Sequence, residues 1–246
     1  MSLSALIIAR NEEEKIEKTL KSISFCDEIV VVLDRSSDST KKICKKYTQN
    51  VFSGSWFCEG ARRNFGIKKC SYEWVFEIDA DEVVNLKLSK EICNRINSNN
   101  FDYFFIPMIN YVGQRPVRYG WMACLAPDGK FCLFRKECKK WLSGLVHPSY
   151  QLKGMKGPKL NAHLVHNMSS NISHLLKRFN RNTTLRSIEL KKKKDINKFF
   201  SIRKIFSRFF KSYFSRKGYK EGKLGLLICL LNGLYPYVSA LKSEKD

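Results

Sequence analysis

Two aspartates, Asp79 and Asp81, close the run Trp74-Val75-Phe76-Glu77-Ile78-Asp79-Ala80-Asp81-Glu82. Its apolar part, Trp74 to Ile78, has the length and composition of a buried strand, and it stops abruptly at carboxylates. Residues i and i+2 of an extended segment point the same way. Both carboxylates can therefore approach one divalent cation and share it with the phosphates of a nucleotide. The carboxyl ends of strands in α/β sheets are where ligands bind. An Asp-x-Asp alone serves equally well as a helix cap or a solvent-facing cluster, so its weight depends on what surrounds it.

The surrounding elements supply that context. Ser2-Leu3-Ser4-Ala5-Leu6-Ile7-Ile8-Ala9 is an apolar run of strand length that ends at Arg10-Asn11-Glu12-Glu13-Glu14. Asn11 reads there as a helix N-cap, Glu14 as its capping-box partner, and Ile16, Leu20 and Ile23 as the buried stripe of the following helix. A second strand, Glu28 to Leu33, ends at the hydroxyl-rich Asp34-Arg35-Ser36-Ser37-Asp38-Ser39-Thr40, in which Asp38 also reads as a cap. A short third strand at Val51-Phe52 and a helix opening at Glu59-Gly60-Ala61-Arg62-Arg63-Asn64 lead to the strand before Asp79. This βαβαβαβ rhythm predicts an α/β fold with a mostly parallel central sheet and helices on both faces. Strands near Phe104-Phe105-Ile106 and Phe131 to Phe134 would complete it, with helices from about Asn171 onward.

Four segments in order, Ala9-Arg10-Asn11-Glu12, Val31 to Thr40, Ala61-Arg62-Arg63-Asn64 and Ile78-Asp79-Ala80-Asp81-Glu82, resemble family 2 glycosyltransferases of the GT-A fold. Arg118-Tyr119-Gly120-Trp121, Pro127-Asp128, Leu133-Phe134-Arg135-Lys136, Leu145-Val146-His147 and the Lys217 to Gly222 segment resemble a narrower branch, the bacterial lipopolysaccharide-core β-glucosyltransferase-like proteins. The resemblance implies transfer of a sugar from a nucleotide sugar, with UDP as its nucleotide, to a saccharide or lipid-linked acceptor with inversion. It implies a catalytic domain over 1–170, divided into a nucleotide-sugar half (1–110) and an acceptor half (111–170), and a helical tail over 171–246.

Departure of a nucleoside diphosphate leaves negative charge that Mg²⁺ or Mn²⁺ would stabilise. The resemblance makes Asp81 the direct metal contact and gives Asp79 the ribose or a metal-bound water. Asp34 would accept from the base, Arg10, Asn11 and Glu12 would line the same pocket, and one of Arg62 and Arg63 would neutralise the pyrophosphate. Inversion also needs a base for the acceptor hydroxyl. The branch carries His-Glu where this chain has His147-Pro148, and arginine where it has Cys132, which leaves Asp128 and His147 as candidates.

Net charge is +22 over 246 residues, and the excess concentrates after Ser169. There, basic residues alternate with Phe199, Phe200, Ile202, Ile205, Phe206, Phe209, Phe210, Tyr213 and Phe214 at helical spacing. A basic helix with an aromatic face suits an anionic membrane surface. The apolar stretch Leu224 to Leu241 is interrupted by Asn232, Gly233 and Pro236 and reads as an in-plane or re-entrant helical pair. Nucleic-acid binding is the reading from charge alone, and a catalytically inactive membrane scaffold is a further alternative. The apolar stripe and the lack of a nucleic-acid motif weigh against nucleic acid. The nine scattered cysteines form no CxxC pair, which predicts free thiols and a cytoplasmic protein on the inner face of the membrane.

Overall fold

The computed structural model describes residues 2–97, 100–144, 148–191 and 199–245. The strands are β1 (Leu3–Ala9), β2 (Glu28–Asp34), β3 (Val51–Gly54), β4 (Trp74–Asp79), β5 (Glu82–Val83), β6 (Tyr103–Val112), β7 (Arg115–Val117), β8 (Gly129–Arg135), β9 (Lys139–Trp141), β10 (Tyr150–Leu152) and β11 (Leu164–Ser169). The α-helices are α1 (Ile16–Ser22), α2 (Thr40–Cys44), α3 (Glu59–Lys69), α4 (Leu86–Ile96), α5 (Ile172–Lys191), α6 (Ile202–Phe210) and α7 (Gly222–Lys245). They form two compact units.

The first unit comprises Met1–Met108, Gly129–Gly144 and Pro148–His166. Its sheet runs β3-β2-β1-β4-β8-β6-β11-β5. The block β3-β2-β1-β4 is parallel, as the βα rhythm requires, and β8 adds antiparallel to β4. Every residue of β1 is buried, because both faces of the sheet are covered. Leu3, Ala5, Ile7 and Ala9 pack with Ile16, Leu20, Leu88 and Ile92 from α1 and α4. Leu6 and Ile8 pack on the other face with Val30, Val32 and Ile67, the last from α3. Gly66 of α3 lies so close to the sheet that a Cβ there would come 2.5 Å from Leu6 Cδ1.

The first helix begins later than its sequence suggests. Asn11 has φ +52°, its Oδ1 accepts from the Ser37 N–H at 2.9 Å, and α1 starts at Ile16 with no side-chain cap. Asn11 therefore joins two turns instead of capping a helix. Asp38 stands one residue before Ser39, the N-cap of α2, and accepts from the Thr40 N–H in an Asx turn instead of capping the helix.

The second unit joins Ile109–Asp128 to Asn167–Asp246, so the compact division does not fall at residue 170. Trp121, Leu125 and Ala126 bury with Met168, Leu175, Ile228, Leu231 and Tyr235. The Glu221 carboxylate ties the same segment down by accepting from the N–H groups of Arg118 at 2.7 Å and Tyr119 at 3.2 Å. Asn171 caps α5 by accepting from the His174 N–H.

The stretch 224–241 is one helix, not a pair, although Pro236 lies inside it. Proline has no N–H, so the Asn232 carbonyl one turn back lacks its helical donor. Arg208 Nε supplies a substitute at 2.9 Å. The Asn232 side chain is itself buried and donates to Gly120 O and Ser212 Oγ, so two of the three interruptions in the apolar pattern, Asn232 and Pro236, are compensated by hydrogen bonds.

Candidate functional site

The parallel block aligns its strand ends. Ile8 of β1 lies level with Val32 of β2 and Asp79 of β4, so Asp34 and Asp79 end strands on either side of β1. Two strand spacings separate them, on the order of 10 Å.

Asp34 is buried and fully engaged. Its Oδ1 accepts from Arg35 Nε (3.1 Å) and the Trp56 N–H (3.3 Å), and its Oδ2 accepts from Arg35 Nη2 (3.2 Å) and Arg62 Nη1 (2.8 Å). Burial alone would raise its pKa, but the Arg35 fork, the Trp56 N–H and the Arg62 charge together hold it below the ordinary value. The turns after β1 and β2 are laced together: the Asn11 N–H donates to Ser36 Oγ, the Glu12 N–H to Thr40 Oγ1 and the Glu13 N–H to Asp38. Arg10 is exposed at the end of β1. Arg62 Nε is buried and makes no hydrogen bond.

Asp79 stands between two cations. Its Oδ1 accepts from Arg63 Nη2 and its Oδ2 from Lys130 Nζ, both at 3.0 Å. The antiparallel register Phe76↔Leu133, continued three residues, brings Lys130 level with Asp79. Lys130 also donates to Glu82 at 2.6 Å, and Arg63 also pairs with Glu59 and Glu77. Glu77 in turn accepts from Lys139 at 2.7 Å, whose ammonium lies 4.3 Å from the centre of the Trp141 ring. Burial opposes the charge on Asp79, yet Lys130 and Arg63 prevail and hold its pKa well down. Burial pushes Glu82 up to about 7; Lys130 opposes this and the Asp79 charge reinforces it. Of the two carboxylates on this ammonium, Asp79 is the one held ionised.

Asp81 is buried beside His166 of β11, with Oδ2 and Nε2 3.4 Å apart. The pairing of β11 with β5, His166 opposite Glu82, delivers the imidazole. Among the described residues no group of three or more His, Cys, Asp or Glu side chains could hold a metal by itself. Asp81 and His166 nevertheless make a two-donor set of carboxylate and imidazole. The carboxylate suits a hard cation that completes its shell with phosphate oxygens and water, and the imidazole favours a transition metal such as Mn²⁺ over Mg²⁺. Both Asp79 oxygens already accept from cations.

The two base candidates have different standings. Asp128 lies in the second unit, is exposed, and accepts from Arg216 Nη1 at 3.1 Å. His147 lies outside the described residues. Sequence reasoning missed Glu77, Lys130, Lys139 and His166. Three of these are charges inside apolar strands or beside aromatic residues, and Lys130 meets Asp79 only through the antiparallel register of β8 on β4.

A sequence model of a protein family, described as glycosyl transferase family 2, matches residues 4–144. An uncharacterized glycosyltransferase of Rickettsia typhi is 32% identical over 121 residues, covering 47% of this chain and 41% of that protein. The chain thus spans about two fifths of that relative. The lipopolysaccharide core biosynthesis glycosyltransferase LpsC of Rhizobium meliloti is 24% identical over 98% of this chain and 92% of its own length. Among solved structures, S. aureus TarS 1-349 in complex with UDP-GlcNAc aligns over 95% of this chain and 80% of that one, at 17% identity and a TM-score of 0.49.

Proposed function

The chain belongs to glycosyl transferase family 2, and on that premise we propose that it moves a sugar from a UDP-sugar to a saccharide or lipid-linked acceptor in lipopolysaccharide or other cell-surface glycan synthesis. Inversion at the anomeric carbon and dependence on Mg²⁺ or Mn²⁺ are part of the proposal. The observation that carries it is the convergence of Asp34, Asp79 and Asp81 at one sheet edge, with consecutive arginines of α3 reaching the first two. The similarity to LpsC over nearly the whole chain supports the glycan class.

In this reading Asp34 accepts from the N–H of the base, and the Arg35 fork must give way, because four donors already occupy its oxygens. Arg62, with its unpartnered Nε, turns toward the diphosphate. Asp81 and His166 would hold the divalent cation, which when bound supplies Lewis-acid stabilisation of the charge on the departing diphosphate. Asp79, held by Arg63 and Lys130, would orient the ribose. The acceptor oxygen bonds to the anomeric carbon as the bond to the diphosphate oxygen breaks. The hydroxyl proton passes to a base, for which Asp128 and His147 are the candidates.

Calorimetric titration with UDP and UDP-glucose, with and without Mn²⁺, tests the reading. Binding should require Mn²⁺ in the intact protein and fall at least about tenfold in Asp81→Asn. Equal affinity with and without the cation would remove the metal from the proposal, and no binding of any nucleotide sugar would end it.

A further inference from the structure

The second unit carries a surface that the transfer chemistry does not use. Helices α6 and α7 pack as an antiparallel pair: Phe200 stacks edge-on against Tyr237, Ile205 meets Gly233, and Ser212 reaches Cys229. A Cβ on Gly233 would lie 2.9 Å from the Ile205 carbonyl, so glycine there permits the close approach.

Two residues of this contact on each helix are followed by an exposed apolar one. On α6, Ile205 and Phe209 precede Phe206 and Phe210; on α7, Cys229 and Gly233 precede Leu230 and Leu234. One residue further along a right-handed helix is a rotation of about 100° in a fixed sense. Because the helices run in opposite directions, that same step turns both stripes toward the same side of the pair. Ile202, Phe206, Phe210 and Phe214 on one helix, and Leu226, Leu230 and Leu234 on the other, therefore form a single apolar face. The first four are 51 to 64% exposed. The π-helical turn Lys211–Ser215 is wider than an α-turn and takes back the drift of a four-residue repeat, which keeps Phe214 in line and stacked on Phe210.

Charge identifies the occupant. Residues 199–245 contain ten Lys and Arg against two acids, Glu221 and Glu244, and Glu221 is buried on backbone N–H groups. Arg203, Lys204, Lys211, Lys217, Lys220 and Lys223 are all exposed around the pair. Length and composition alone would let α7 cross a bilayer, but half of its most apolar window is buried within the unit, against α5 and α6.

We infer that the α6–α7 pair lies flat on an anionic lipid surface, with its two-helix apolar face at the acyl boundary and the surrounding lysines and arginines at the headgroups. Such a face sinks about 5–10 Å into the interface. The inference does not depend on the transferase reading, and its test needs no substrate.

The full chain is floated with vesicles of phosphatidylcholine, with and without phosphatidylglycerol, at low and physiological salt. It should float with the anionic vesicles and weaken with salt, since screening shortens to about 8 Å, while an apolar remainder persists. Phe206→Glu with Phe210→Glu and Leu230→Glu should lower flotation at least about tenfold while the variant keeps the parent's circular dichroism spectrum, because these side chains are 45 to 57% exposed. Phe206→Leu with Phe210→Leu should float like the parent, which separates loss of the face from misfolding.

Four results would overturn the inference. These are no flotation of the parent, equal flotation of the glutamate variant, a dimer in light scattering that the glutamate variant abolishes, and resistance to alkaline carbonate, which would mean a spanning helix. Binding to random-sequence DNA in preference to the vesicles would instead assign the basic rim to nucleic acid.

Discussion

Arg62 and Arg63 are neighbours on one helix, yet they reach different strands: Arg62 pairs with Asp34 at the end of β2 at 2.8 Å, and Arg63 with Asp79 at the end of β4 at 3.0 Å. Helix α3 thus spans the β1 strand and fixes the separation of the two carboxylates. The side chains differ in depth, because Arg63 also bridges Glu59 and Glu77 in the interior.

Replacing each arginine should separate binding from stability. Arg63→Met leaves three carboxylates short of a cation and should cost about 3–5 kcal/mol of stability, the usual penalty for removing one partner of a buried pair. Arg62→Met leaves Asp34 with the Arg35 fork. It should lower stability less and weaken UDP affinity about tenfold, or about 1.4 kcal/mol. Chemical denaturation and calorimetry on both variants check this; equal losses in both measurements would contradict it.

The proposed cation site should fail from either donor. Asp81→Asn and His166→Ala should each lower turnover about 10²- to 10³-fold and abolish the Mn²⁺ dependence of UDP binding, since metal stabilisation of a leaving group is worth several kcal/mol. Full activity in His166→Ala would remove the imidazole from the site.

Stability should peak in mildly acidic solution. Asp34 and Asp79 are held below their ordinary value of 3.8, so what they contribute is complete above that pH and drains away as pH falls below it. Glu82 runs the other way. Its pKa is raised from 4.5 to about 7, so its contribution is complete below 4.5 and is lost as pH rises through 7. Thermal unfolding from pH 3 to 8 should show both slopes, and Glu82→Gln should flatten the alkaline one.

Arg208 and Pro236 should be coupled. Arg208→Met strands the Asn232 carbonyl and should cost about 1–3 kcal/mol. Pro236→Ala restores a helical N–H beneath that carbonyl and should recover part of the loss in the double variant. Additive effects would show that Arg208 matters for another reason.

The parallel block was legible because its strands are continuous apolar runs punctuated by carboxylates, and Asp34, Asp79 and Asp81 stand at the carboxyl ends of strands. Lys130 and His166 were not legible, since each reaches the site through a strand pairing distant in sequence. Asn11 misled because a residue that favours helix caps also tolerates positive φ, and here φ is +52°. Pro236 misled because the guanidinium that satisfies the broken helical bond lies 28 positions earlier in the chain.

Despite the chain's large basic excess, the cations bonded at the sheet edge are each matched: Arg35 and Arg62 to Asp34, Arg63 to Glu59, Glu77 and Asp79, Lys130 to Asp79 and Glu82, Lys139 to Glu77. A polyanion drifting past would find little field there to hold it. On the proposed reading a nucleotide would have to exchange partners with groups already satisfied, so its net affinity would be a small difference between two large sums.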